Sequence, residues 1–190
     1  YGLAIAVAGQ RHGIPVTVMV PKGATHSKME RIRLSGGRVI VHGNDFDTAK
    51  DFARNMAEED GAAFWEDGVI EEMAHGAASI GAEITSHSEP WDCVVIPLGN
   101  GSLIKGIASV LKVQSPNTTI VAVVPSGTPA MALALRGEAW DKSTSVETLA
   151  DGLAVRVPIS AIVAELKDLI DEVWLVDECS LLPAVKSLLE

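Results

Sequence analysis

Cysteine and aromatic residues are scarce in this chain, and the shortage of cysteine limits what the chain can bind. The only two cysteines are Cys93, in an apolar run, and Cys179, in a helix-like stretch, and the aromatic fraction is 4%. The sequence has no CxxC pair and no Cys/His spacing of the kind that zinc requires, and its histidines are dispersed. We therefore expect two buried thiols and assign no residue to a metal.

Positive charge and long apolar runs are also lacking. The chain has 15 lysines and arginines against 25 acidic residues, so its formal net charge is −10. The basic residues are scattered, and no basic stripe could follow a phosphate backbone. No apolar run reaches the roughly 18 to 20 residues of a membrane span, and the chain starts in an apolar helical pattern instead of a basic leader. These absences predict a soluble, cytoplasmic protein with neither a nucleic-acid nor a membrane partner.

The chain has enough apolar residues, 47% of 190, to form a sizeable core. Short β-branched runs alternate with segments of helical spacing, and this alternation predicts an α/β fold with parallel sheets. The predicted strands span residues 16–20, 38–42, 92–96, 119–124 and 172–176. The predicted helices span residues 27–34, 46–59, 69–86, 103–112 and 159–169. Asp45 is the predicted N-cap of the second of these helices.

A quiet segment at residues 61–69 separates two predicted strands in the front half from three in the rear half. We expect a lobe boundary there, which gives a smaller lobe over residues 1–62 and a larger lobe over residues 63–190.

The strongest chemical signal is a glycine-rich loop between a predicted strand and a predicted helix. It consists of Gly99, Asn100, Gly101, Ser102 and Leu103. Small residues let several backbone N–H groups point at one phosphate, the helix N-terminus adds partial positive charge, and Ser102 could donate its hydroxyl. Lys105, one turn into the helix, could add attraction. The same pattern is also typical of a tight strand-to-helix turn, and it matches neither G-x-G-x-x-G nor G-x-x-x-x-G-K-[ST].

Four segments, in order over nearly the whole chain, resemble fold-type II PLP-dependent enzymes, above all serine/threonine dehydratases and serine racemases. The segments at residues 13–33 are similar to the front lobe of that family, and residues 76–84 to its G-Q-G-T-x-x-x-E-I helix. Residues 97–104 take the place of its tetraglycine phosphate loop. Residues 148–155, Thr-Leu-Ala-Asp-Gly-Leu-Ala-Val, are similar to the T-I-A-D-G-x-A-V segment of threonine dehydratases.

The resemblance implies a three-layer α/β/α architecture in two lobes, here incomplete, and PLP as the cofactor. It implies that Gly152 and the loop residues Gly99, Asn100, Gly101, Ser102 and Leu103 bind the cofactor. The implied reaction is the removal of the β-hydroxyl and amino groups of serine or threonine, so the implied substrate is a small amino acid.

Several family segments have no match in this chain. The Schiff-base lysine of the family belongs to a motif that would precede Tyr1, and segments near the pyridine ring would follow Glu190. The only Ser-Lys pair, Ser27-Lys28, falls on a helix that faces solvent in the family. We therefore assign no catalytic residue. The family's cation site also looks lost, because Val-Pro-Ser at residues 124–126 lacks its glutamate and Ala130 stands where a further acid would be.

Two interpretations remain open. The chain is part of a PLP-dependent lyase that is inactive in isolation and forms a homo-oligomer or pairs with a complementing chain. Alternatively, it is a non-catalytic α/β binding or assembly module that keeps the scaffold. A pyrophosphate-binding Rossmann domain is disfavoured because no suitably placed ribose-binding acid follows a strand.

Overall fold

Two separate parallel sheets organise the chain. The computed structural model describes residues 1–190 and contains two units, Tyr1–Glu66 and Asp67–Glu190. The first unit consists of α1 (Gly2–His12), β1 (Thr17–Val20), α2 (His26–Leu34), β2 (Arg38–Val41) and α3 (Phe46–Asp60). Its strands β1 and β2 pair in parallel. Asp45 caps α3, since its Oδ1 accepts hydrogen bonds of 2.8 Å from the backbone N–H and the hydroxyl of Thr48, which confirms the predicted cap.

The second unit has three strands and five α-helices. In chain order these are α4 (Glu71–Thr85), β3 (Cys93–Pro97), α5 (Ser102–Gln114), β4 (Thr119–Pro125), α6 (Ala130–Arg136), α7 (Ser160–Lys167), β5 (Glu172–Val176) and α8 (Glu178–Leu189). A short 3-10 helix covers Asp151–Leu153. The strands pair in parallel in the order β3-β4-β5. None of the helices in the chain is both long enough and apolar enough to cross a membrane.

The core of the second unit surrounds β4. Its consecutive residues Ile120, Val121 and Ala122 are each at most 1% exposed. Successive side chains of a strand point to opposite faces of a sheet, so both faces of β4 are covered, as is usual for a parallel strand. Side chains from α5, α6 and α7, including Leu111, Met131 and Leu166, join this core.

Helices α4 and α5 pack closely through small residues. A Cβ at Gly106 of α5 would overlap the carbonyl oxygen of Ala74 and lie 2.7 Å from the Cβ of Ala77. From the other side, a Cβ at Gly81 of α4 would lie 2.9 Å from the carbonyl oxygen of Ile107. Two glycines on opposite helices therefore let the two backbones approach to a distance that any side chain would prevent.

The predicted α/β fold with parallel sheets is confirmed, and all five predicted strands and helices are present with ends within two residues of those expected. Helix α6 and the 3-10 helix were not predicted. The expectation of buried thiols is wrong, because Cys93 and Cys179 are both exposed. Cys93 lies on β3, which has a strand on only one side in this sheet, so its apolar run does not imply burial.

Two helical glycines allow a matched test of the α4–α5 contact. We expect Gly106→Ala to lower the free energy of unfolding by about 1 to 3 kcal/mol, because the added methyl group has no space. Gly76→Ala in α4 is the control. No atom lies within 4 Å of a Cβ at that position, so alanine should raise the free energy of unfolding by about 0.5 to 1 kcal/mol. Urea denaturation of both variants measures the difference, and equal effects would contradict the packing described.

Candidate functional site

The turns that follow the three strands of the second unit lie at one edge of its sheet. The strands are parallel, so their carboxyl ends point the same way, and ligands of open α/β sheets bind at this edge. The glycine loop follows β3, the turn at residues 126–129 follows β4, and Asp177 follows β5. The predicted loop residues therefore stand where the topology favours a ligand.

Glycine is required at the centre of the loop. Gly101 has φ +107°, in a region that L side chains rarely adopt, and a Cβ there would lie 3.0 Å from both Ile162 Cγ2 and Leu166 Cδ1. A Cβ at Gly99 would lie 3.3 Å from the carbonyl oxygen of Gly152. The backbone of the loop therefore packs closely against α7 at Gly101 and against the 3-10 helix at Gly99.

The N-terminus of α5 has no side-chain cap. The helix begins at Ser102 after Gly101. The first backbone N–H groups of a helix have no partner within the helix, and together with the helix dipole they favour an anion. Leu103, in this first turn, is 37% exposed.

Asp67, which precedes α4, holds the glycine loop by contacts with two of its side chains. The Ser102 hydroxyl donates to Asp67 Oδ1 at 2.9 Å and accepts from the Gly68 backbone N–H at 2.9 Å. The amide nitrogen of Asn100 lies 3.5 Å from Asp67 Oδ2. The Ser102 hydroxyl is therefore engaged within the protein, and what this residue offers a ligand is its backbone N–H.

Lys105 is already paired with two carboxylates. Its Nζ lies 2.6 Å from Glu165 Oε2 and 2.8 Å from Glu71 Oε1. The hydrogen bond to Glu165, followed by that to Glu71, raises the pKa of Lys105 above its ordinary value. The ammonium group stays charged, but that charge is compensated by α4 and α7 and adds little attraction for an anion at the loop.

Glu178, in the first turn of α8, joins two segments of the same edge. Its carboxylate accepts hydrogen bonds from the backbone N–H groups of Gly127 and Leu149 and from the hydroxyl of Thr148, each at 3.1 Å. Burial opposes ionisation, but the three hydrogen bonds together lower the pKa of Glu178 below its ordinary value. The three donors lie about 30 and 51 positions away in sequence, so no local pattern identified this residue.

The arrangement fits a phosphate group. The donors it presents are neutral backbone N–H groups at a helix start that no side chain caps. The nearby carboxylate of Asp67 is directed to the Ser102 hydroxyl, which holds the loop in place. Gly152 lies beside the start of the loop, where a Cβ at Gly99 would be 3.3 Å from its carbonyl oxygen.

Comparison with known proteins agrees with this geometry. A family model described as "Pyridoxal-phosphate dependent enzyme" matches residues 1–190. An L-threonine ammonia-lyase of Thermotoga maritima is 33% identical over 186 residues, which are 98% of this chain and 46% of that protein. Threonine dehydratase 2 of Solanum lycopersicum is 34% identical over 186 residues, covering 96% of this chain and 31% of that protein.

Solved structures give the same result. The processed form of threonine deaminase isoform 2 from Solanum lycopersicum superposes with a TM-score of 0.83 at 33% identity, over 93% of this chain and 48% of that one. Maize serine racemase superposes with a TM-score of 0.89 at 26% identity, over 100% of this chain and 57% of that one. The chain thus spans about half, or less, of the length of the relatives it matches.

These matches cover both sheets as well as the glycine loop, and they confirm the resemblance seen in the sequence. The cofactor they imply is PLP, whose phosphate group suits the donors found at the loop. The chain therefore belongs to the pyridoxal-phosphate-dependent enzyme family.

Proposed function

We propose that these 190 residues are the phosphate-binding part of a PLP-dependent lyase that removes the β-hydroxyl and amino groups of threonine or serine. The observation that carries the proposal is the uncapped start of α5 next to Gly101, whose φ of +107° and close neighbours allow no side chain. The named threonine ammonia-lyase and threonine dehydratase relatives support the reaction and the substrate class.

Each predicted site residue has a part in this proposal. The backbone N–H groups of Ser102 and Leu103 bind the phosphate. Gly101 adopts the positive φ that the loop requires, and Gly99 allows the close approach to Gly152. Asn100 and Ser102 connect the loop to Asp67, and Gly152 of the 3-10 helix borders the loop at Gly99. PLP, when bound, supplies the electron sink for removal of the substrate Cα proton. The residues of this chain hold and orient it.

Binding of the cofactor should depend on its phosphate group. We expect the protein to bind PLP more tightly than pyridoxal, which lacks the phosphate, in a fluorescence titration. Gly101→Ala should weaken PLP binding roughly tenfold or more, because a Cβ in this conformation displaces the loop and its charge-assisted hydrogen bonds. Gly23→Ala is the control, since a Cβ there meets nothing within 4 Å. Equal affinities for PLP and pyridoxal would refute the proposal.

Catalysis is not expected of residues 1–190 alone. The family's covalent lysine has no counterpart among the lysines of residues 1–190, and Lys28, of the only Ser-Lys pair, lies on α2. We expect residues 1–190 on their own to bind PLP without producing keto acid from serine or threonine. Borohydride reduction in the presence of PLP should then leave no single lysine labelled, as measured by intact mass and peptide mapping. Keto-acid production, or one defined labelled lysine, would contradict this expectation.

A second candidate function, a non-catalytic assembly module, is favoured by the surface of α8. Four apolar side chains on this helix are more than half exposed, at spacings of three and four residues that place them together: Leu182, Val185, Leu188 and Leu189. We propose that this face pairs with a second copy of the chain.

Light scattering across a concentration series tests self-association. We expect oligomers that Leu182→Glu disrupts, because a charge cannot be buried in an apolar contact. Leu34→Glu, at a leucine of α2 that is even more exposed than Leu182, should leave them intact. A monomer at every concentration would exclude this assembly.

A further inference from the structure

A single carboxylate holds together the segments that flank the cofactor loop. Glu178 uses both of its oxygens: Oε1 accepts from the Gly127 N–H, and Oε2 accepts from the Thr148 hydroxyl and the Leu149 N–H. The turn after β4 and the segment at residues 148–153 (segment 148–153) are thereby both attached to the first turn of α8. A carboxylate accepts hydrogen bonds at both oxygens, so it suits three converging donors.

The approach of the β4 turn to this carboxylate depends on glycine. A Cβ at Gly127 would overlap the carbonyl oxygen of Glu147 and lie 2.8 Å from Glu178 Oε1. The Glu147 N–H donates to the Gly127 carbonyl at 3.1 Å, so the two backbones are paired directly. The contact leaves no space for a side chain, and the positions of the two segments are coupled.

Segment 148–153 carries this constraint to the cofactor loop. The Thr148 hydroxyl accepts from the Ala150 N–H at 3.1 Å, and the Leu153 N–H donates to the Ala150 carbonyl at 2.8 Å. These bonds start the 3-10 helix whose Gly152 carbonyl faces Gly99. None of the hydrogen bonds of Glu178 is with residues 99–103, so its effect on the loop passes through this segment.

We propose that Glu178 is a positioning residue for cofactor phosphate binding, which it supports by holding Gly152 against the glycine loop through segment 148–153. This inference rests on the proposed function, because it assumes that the loop binds the phosphate of PLP. The hydrogen bonds of Glu178 are to Gly127, Thr148 and Leu149, and none is to the loop.

Glu178→Gln is the sharpest variant, because glutamine keeps the shape of the side chain but replaces one accepting oxygen with an NH₂ donor. Whichever way the amide turns, a donor faces either Gly127 or the Thr148–Leu149 pair. Glu172→Gln is the matched control. It changes a glutamate at the opposite end of β5 whose carboxylate accepts one hydrogen bond, of 2.8 Å, from Trp174.

Two measurements on the same proteins test the proposal. Titration with PLP should show an affinity roughly tenfold lower in Glu178→Gln than in the unaltered protein. Titration with pyridoxal should show the same affinity in the two proteins. Hydrogen exchange without ligand should show faster exchange of the Leu149 and Ala150 amides in Glu178→Gln. Glu172→Gln should match the unaltered protein in both measurements. A general loss of folding would lower the affinity for both ligands alike.

The outcomes separate this inference from the proposed function. If the unaltered protein does not prefer PLP to pyridoxal, the proposed function fails and the inference fails with it. If that preference is present but Glu178→Gln retains full PLP affinity, the inference alone is overturned. Should Glu178→Gln fail to fold, Thr148→Val removes one donor to the same carboxylate, together with the acceptor of the Ala150 N–H, while leaving α8 unchanged. We expect it to lower PLP affinity selectively, and unchanged affinity would overturn the inference.

Discussion

The burial of β4 between β3 and β5 is the constraint on which the rest of the second unit depends. Its register fixes Pro97 opposite Val123 and Pro125 opposite Val176, so all three strands end at nearly the same level. A parallel strand covered on both faces cannot slip without exposing its apolar side chains to water. The level at which each following loop begins is therefore set by the core.

Close approaches of backbone to backbone are the second organising feature. They occur at Gly106 between two helices and at Gly127 between two loop segments. At Gly101 the loop backbone packs closely against the side chains of Ile162 and Leu166 on α7. At each of these positions the fold would have to move to accept even one methyl group. Two of these glycines, Gly101 and Gly127, lie at the edge of the sheet where the proposed ligand binds. At that edge the hydrogen-bond donors are backbone N–H groups instead of long polar side chains.

Much of the fold could be predicted from the sequence because its signals are local. The β-branched runs and helical spacings identify every strand and most helices, and the glycine loop falls between a strand and a helix as its composition indicates. Helix α6 was missed because its seven residues are too short to show a helical period.

The contacts that complete the site join residues far apart in sequence, so they could not be predicted from local patterns. Asp67 meets Ser102 across 35 positions, and Glu178 meets Gly127 across 51. Before the fold is known, each of these acids is indistinguishable from the many others in an acidic chain. Lys105 illustrates the opposite error: its place one turn into α5 suggests attraction for an anion, but two carboxylates from neighbouring helices already neutralise it.

The pairing of Lys105 also determines how the loop responds to its ionic surroundings. With that charge compensated, the attraction that the proposed site would exert on a phosphate comes from dipoles, while the net charge of −10 opposes its approach at long range. Dissolved salt screens the long-range repulsion far more than it screens short-range contacts between an anion and the backbone N–H groups of the loop. Ionic strength, which weakens anion capture by proteins that use a lysine or arginine cluster, should here assist the approach of an anion.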